Sequence, residues 1–279
     1  AIVNGLGKTT LLTESLIAIP LYKLFLGSKA ISEMSKTVLS QMTHMRNLNF
    51  NAFIALKNGH FGENASLFDS FEAVVRDLTG RTNKSRRMIV DELNDEFRRN
   101  GINNTNIHTR QFEMLLEKTL DGTIQDSHQF WRYLTDNKFI KTSTKVYSAE
   151  DNIWKQYGYL FNKSILDRAL KTTKDFQNYS REIFGEELDI YVNSETKKTR
   201  GQLIEELSAR EIVDVYPNYD MVGRLFQELR LVPIVGNFIS FPAEISRNSI
   251  KSTIFDIRRI KSSNPYIREQ GYRGVMGTL

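Results

Sequence analysis

The sequence predicts a mainly helical fold, an irregular assembly of long amphipathic helices with little or no sheet. Three observations predict it. Apolar residues recur at spacings of three and four over long stretches, as on one face of a helix. Strand-like alternation is confined to Leu188-Asp189-Ile190-Tyr191-Val192, a short run. Between the periodic segments lie polar, Gly- and Asn-containing stretches near 58–65, 101–108, 121–127 and 193–201, which read as connections.

The clearest helix follows Ser148. Glu150 and Asp151 give it an acidic first turn, and Trp154, Tyr157, Phe161, Ile165 and Ala169 then form one apolar stripe. Residues 84–100 read the same way: Asn83 is a capping residue, Met88, Leu93 and Phe97 mark a face, and Asn100-Gly101 is a stop. Segments 66–78, 109–119, 127–137, 200–213 and 218–230 are further helices by this reading. Residues 231–245 are apolar but carry Pro233, Gly236 and Pro242, so they form a bent segment. Pro242 suits the first turn of a new helix, whose apolar face continues through Ile250, Ile254 and Ile257. Asn264-Pro265 is a cap and first-turn proline for a final short helix. The wholly polar run Asn193 to Lys198 marks a weak boundary between a helical region 1–192 and a helical region 202–279 with a basic tail, unless the two form one domain.

With 40% apolar residues, 17 Phe and 11 Tyr, the chain can bury a substantial core. There is no cysteine, which excludes disulfides and thiolate metal sites. The Leu- and Ile-rich residues 11–31 are interrupted by Glu14, Pro20, Lys23 and Lys29, so no spanning helix is expected, and the basic leader of a secretory signal is lacking. The chain opens on Ala, which fits a processed chain or the visible part of a longer one.

One phrase names a chemistry. Gly5-Leu6-Gly7-Lys8-Thr9-Thr10 resembles a phosphate-binding loop, in which backbone amides wrap the phosphates and Lys and Thr reach phosphate and magnesium. That loop requires a glycine five residues before Gly7, and Ile2 stands there. The acidic partner for such a loop is sought in Met88-Ile89-Val90-Asp91-Glu92, but the charges around it fit an amphipathic helix better than a buried strand. Gly5, Gly7, Lys8 and Thr9 are therefore read as a decoy.

Other chemistry is sparse. His44, His60, His108 and His128 have no metal-ligand spacing. The pairs Asp91-Glu92, Glu186-Glu187 and Glu205-Glu206 read as solvated helix faces. No G-x-S-x-G elbow occurs. No catalytic residue, metal or cofactor is expected, and the sequence makes no case for an enzyme.

Charge is localised. Residues 246–279 carry Arg247, Lys251, Arg258, Arg259, Lys261, Arg268 and Arg273 against Asp256 and Glu269, a balance equal to the net charge of +5 of the whole chain. Two readings stand: a surface for nucleic acid or anionic lipid, with Tyr266 and Tyr272 available for stacking, or a solvated helix face. The apolar stretches 16–26 and 231–245 are open to core, partner or lipid.

Several phrases resemble a recurrent region of very large virion-associated proteins of tailed bacteriophages. They are Ser35 to Ser40, Thr43 to Asn47, Asn58-Gly59, Glu150 to Lys155 and Pro217-Asn218-Tyr219. The run Leu231-Val232-Pro233 through Gly236-Asn237-Phe238 to Glu244-Ile245, followed by Arg247, is similar to an LP-x-x-GNF-x-x-FPAE-x-x-R phrase, and Asn264 to Arg268 matches a later one. Gln41 departs from the pattern, where proline is usual. No phrase is strong alone; their order over residues 30 to 275 carries the likeness. The resemblance implies a structural or internal virion protein, in the capsid interior or tail-associated. It is expected in the host cytoplasm during assembly and in some cases ejected with the DNA. Its implied partners are other virion proteins in an oligomeric assembly, with DNA and a membrane as further partners on ejection.

Overall fold

A computed structural model describes residues 32, 36, 40–62, 64–103, 138–192, 196–217 and 240–278. Among them are eight helices: α1 Gln41–Lys57, α2 Leu67–Thr79, α3 Arg87–Arg99, α4 Lys138–Ala169, α5 Thr173–Ile183, α6 Arg200–Val215, α7 Ser240–Ile260 and α8 Pro265–Thr278. The mainly helical class is thus observed, with no sheet among the described residues. The helices expected at 109–119, 127–137 and 218–230 lie outside them, as do residues 1–31, including Gly5, Gly7, Lys8 and Thr9.

The chain divides into two compact units built from non-contiguous segments. One contains residues 1–47, 105–148 and 218–246; the other contains 48–104, 149–217 and 247–279. The polar run read as a boundary falls in the sequence span of the second unit. In the first unit, Thr43 Oγ1 donates to the Lys36 carbonyl at 2.7 Å, and the His44 and Tyr147 rings meet edge-on at 5.5 Å.

The second unit holds most of the described core. The stripe on α4 is buried at Tyr157, Phe161, Ile165 and Ala169. Phe176, Tyr179 and Ile183 of α5, and Leu203, Leu207 and Ile212 of α6, are buried as well. Local signals set the helix ends. Ser66 Oγ accepts from the Asp69 amide at α2, and Gly80 closes that helix at φ 69°. Thr172 with Asp175 and Thr199 with Gln202 form reciprocal capping boxes at α5 and α6. Asn264 Oδ1 accepts from the Tyr266 amide at 3.1 Å, as the Asn-Pro pair predicts for α8.

Three local expectations are corrected. Ser148 does not start a helix: α4 runs through it, and its hydroxyl donates to the Thr144 carbonyl at 3.1 Å, the usual way a mid-helix serine is satisfied. Asn83 does not cap α3; its side chain accepts from the Ser85 amide and closes a turn, so the helix begins at Arg87 and leaves Met88 exposed. Residues 188–192 form no strand; Tyr191 makes one antiparallel bridge with Lys197, and the Val192 amide donates to the Thr196 carbonyl at 2.8 Å.

Helix α8 closes the unit through a glycine stripe. A Cβ at Gly271 would lie 2.7 Å from the Ile260 backbone nitrogen. One at Gly274 would overlap the Asp256 carboxylate, and one at Gly277 the Leu56 carbonyl. Spacing of three keeps these positions on one face, so α8 lies directly on α7 and the end of α1. The Asn58-Gly59 turn completes the junction. Gln270 donates to the Asn58 carbonyl at 2.9 Å, Ser252 to its side chain at 2.6 Å, and Gly59 takes φ 69° against the Arg273 Cβ. Gly274→Ala is therefore expected to cost about 1–3 kcal/mol by overpacking. Urea denaturation should show it as a lower midpoint with an unchanged slope. An unaltered midpoint would mean that the helices do not touch along this line.

Candidate functional site

The most chemically dense part of the second unit is a buried polar centre where α4, α5, α6 and α7 meet. Leu207, Glu211 and Val215 share one face of α6 at helical spacing, which carries the Glu211 carboxylate into the core. There it accepts from Asn162 Nδ2 at 2.7 Å and from the Tyr179 hydroxyl at 3.0 Å, and pairs with the Arg259 guanidinium. Arg259 in turn lies 3.6 Å from Asp256, one turn earlier on α7. Nearby, His60 stacks on Tyr216, with Nδ1 3.1 Å from the Tyr216 hydroxyl. Gly158 leaves room for both rings, since a Cβ there would lie 2.8 Å from the tyrosine.

The electrostatics follow from burial and pairing. Burial pushes the His60 imidazole down to about 4, so it is neutral. Burial works to raise Glu211, but the Arg259 guanidinium outweighs it and holds the carboxyl below its usual value. Asp256 is pushed up to about 7 by burial, against the pull of Arg259 and with Glu211 adding to the rise. A carboxylate, an imidazole and tyrosines in one place resemble an acid–base centre. Here the Glu211 oxygens and the Arg259 guanidinium are engaged by other core groups, so their work is to join helices.

A second cluster lies at the face of α3. Glu96 accepts from the Tyr159 hydroxyl at 2.7 Å and pairs with Lys163, which also faces Glu205 at 3.7 Å. Beside it opens a cleft of about 630 Å³ lined by Asn64, Ser66, Asp69, Lys163, Asp167 and Arg200. Its charges are answered locally. Arg200 binds Asp167 at 2.6 Å, Asp69 pairs with Arg86, and the Ser66 hydroxyl caps α2. Among the described residues no group of His, Asp and Glu is placed to hold a metal ion. Among them, too, no helix is long and apolar enough to cross a membrane.

The basic residues of 246–279 do not share one surface role. Arg259 is a core residue in the Glu211 pair. Arg247 and Lys251 both face Asp214, at 3.5 Å and 3.6 Å. Arg258 donates to the Ile183 carbonyl at 2.5 Å. Arg273 binds Glu269 at 2.8 Å and lies over the Phe61 ring. Lys261 and Arg268 are exposed, with no ion pair among the described residues. Sequence reasoning missed the buried centre. The available signal was a charge set on an apolar face, Glu211 between Leu207 and Val215, and Arg259 one turn after Phe255.

The outer surface is marked by large apolar side chains. Ile250, Ile254 and Ile257 form an exposed stripe on α7. Leu67, Phe68, Phe71, Met88 and Ile89 do the same on α2 and α3. Compared with known proteins, the chain matches no family model, no curated protein and no solved structure.

Proposed function

We propose that the chain is a structural protein of a tailed-bacteriophage particle, acting without catalysis and held by contacts with other virion proteins. The observation that carries the contact role is the exposed Ile250–Ile254–Ile257 stripe on α7. The opposite side of this helix carries Phe255, Asp256 and Arg259 into the core, so the isoleucines are surplus to the helix's own packing. Contiguous exposed apolar surface on a folded unit marks a place where another molecule sits. Asn162, Tyr179, Glu211 and Arg259 at the centre are engaged with one another, which supports a role in holding shape rather than turning over a substrate. The ordered phrases shared with virion-associated proteins supply the setting, and among them Asn58-Gly59 and Asn264-Pro265 lie at the junction with α8.

The test is the protein content of density-gradient-purified particles from the source culture. The chain is expected to co-sediment with the particles and to resist nuclease and moderate salt. Ile254→Glu is expected to fold normally, because the side chain is partly exposed, and to be lost from particles. A chain absent from particles, or an Ile254→Glu variant incorporated as well as the parent, overturns the reading.

A further inference from the structure

We propose that α8 is a hinged lid over the end of α1 and the inner face of α7, held down while the Asp256 carboxyl carries its proton and released when that carboxyl ionises. The first support is how little apolar surface seats it. The buried residues of α8 are Ile267, Gln270, Gly271 and Gly274, so one large apolar side chain faces inward. Tyr266, Tyr272, Val275 and Met276 are exposed. An element with few buried apolar contacts opens before the rest of its unit. The seat is polar as well: Asn248, Ser252, Asp256 and Arg259 are buried along one face of α7. What holds α8 is close backbone approach and the Gln270 bond to the Asn58 carbonyl.

The second support is the place of Asp256. A Cβ at Gly274 would overlap its Cγ and both carboxyl oxygens, so the α8 backbone lies directly on the carboxyl. Oδ1 is buried and makes no hydrogen bond among the described residues. The Arg259 guanidinium, 3.6 Å from it, is engaged by Glu211. One turn further along α8, a Cβ at Gly277 would overlap the Leu56 carbonyl, so the C-terminal ends of α1 and α8 meet beside the carboxyl. Helix C-termini carry partial negative charge, which repels an ionised carboxylate and accepts a hydrogen bond from a protonated one.

The groups facing Asp256 are Lys57 from α1, Glu211 from α6 and Arg259 from α7, while α8 presents the Gly274 backbone. Burial outweighs the two cations and, with Glu211, pushes the carboxyl up to about 7. Lifting α8 returns the group towards water, where it ionises in the ordinary carboxylate range. The seated state therefore holds a proton that the open state releases. Seating weakens as pH rises towards 7 and is constant above it. The hinge is the start of the helix. Asn264 Nδ2 donates to the Ala169 carbonyl at 2.9 Å and the Ser262 hydroxyl to Glu182 at 3.2 Å, which ties that end to α4 and α5.

The test is hydrogen exchange of the full chain, read by mass spectrometry and corrected for the intrinsic rate of each amide. Protection across α8 is expected to fall by up to about tenfold per pH unit between about 5 and 7, and then to level off. Protection across α4 is expected to exceed that of α8 throughout. Asp256→Asn keeps the volume and cannot ionise, so its α8 protection should not follow pH in this range. Lys57→Met removes a cation facing the carboxyl, so the levelling-off should move to higher pH. Gln270→Ala should lower α8 protection by a similar factor at every pH and keep the slope. Parent protection that ignores pH overturns the proposal, and so does an α8 that opens only together with α4. A slope that survives Asp256→Asn, or a levelling-off that Lys57→Met leaves in place, does the same. The Lys57→Met profile decides even where Asp256→Asn does not fold.

Discussion

Glu211→Ala is expected to remove about 3–5 kcal/mol of unfolding free energy, because it leaves Arg259 charged and unpaired in the core. The loss has three parts. Arg259 is almost fully buried and, among the described residues, has Asp256 as its other acidic partner, at 3.6 Å. Asn162 and Tyr179 lose the acceptor that satisfied them. The truncated side chain also leaves a void between helices. The pair as a whole should behave differently from either half. Glu211→Leu combined with Arg259→Met removes both charges and keeps most of the volume, so it is expected to cost less than the sum of the two single losses, the orphaned Asn162 and Tyr179 donors being the part that remains. Denaturant titrations of the two single variants and the double variant give the coupling energy directly. Additive losses would show that the two groups do not interact in the folded protein.

The second large effect concerns pH, and two buried groups oppose each other. Asp256, with a carboxyl raised from 3.8 to about 7, holds a proton in the folded state that the unfolded chain has released. Its contribution is therefore fully present below about 4 and is lost as pH rises to about 7, a total on the order of 4 kcal/mol at about 1.4 kcal/mol per unit. His60 is lowered from 6.5 to about 4, so the unfolded chain takes up a proton that the folded one refuses. Its contribution is present above 6.5 and is lost as pH falls towards 4, on the order of 3 kcal/mol. The groups facing Asp256 are Arg259 on α7, Glu211 on α6 and Lys57 at the end of α1, with the Gly274 backbone against it. Between pH 4 and 6.5 the two slopes run in opposite directions and largely cancel. Asp256→Asn should unmask acid lability, and His60→Gln should unmask a loss of stability as pH rises. The quantity to compare is the variant's profile minus the parent's, since Asp151 and the other carboxylates contribute to both. Difference profiles that are flat for both variants would sink this account.

How legible these features are in the sequence depends on their range. Helices α2, α6 and α8 follow from signals within four residues, with a side-chain cap at the start of each, and α3 from its stripe and the Asn100-Gly101 stop alone. Helix α5 carried such a signal in Thr172 and Asp175, and sequence reasoning passed over it. The start of α4 was misread because Ser148 has the chemistry of a cap, while the turns before it continue the helix. The polar centre is of another kind. Asn162, Tyr179, Glu211 and Arg259 come from four helices, and a local reading leaves Arg259 among the charges of the basic tail. Only the folded arrangement shows which charges face inward. The exposure of Phe68 and Phe71 on α2 is hidden for the converse reason, since both read as core in any local window.

The close seating of α8 sets an order of events in synthesis. Gln270 and Arg273 meet Asn58 and Phe61 across 212 residues of sequence. Contacts of this span form late, because a long loop must close before they contribute. Until α8 leaves the ribosome, the Asn58 carbonyl lacks its Gln270 donor and the α7 face under the glycine stripe lacks its cover. A growing chain would carry that open surface until α8 emerges, an interval in which incomplete chains associate wrongly. Ribosome-bound chains halted before residue 265 are accordingly expected to be sensitive to protease across α1 and α7, and chains that include α8 resistant.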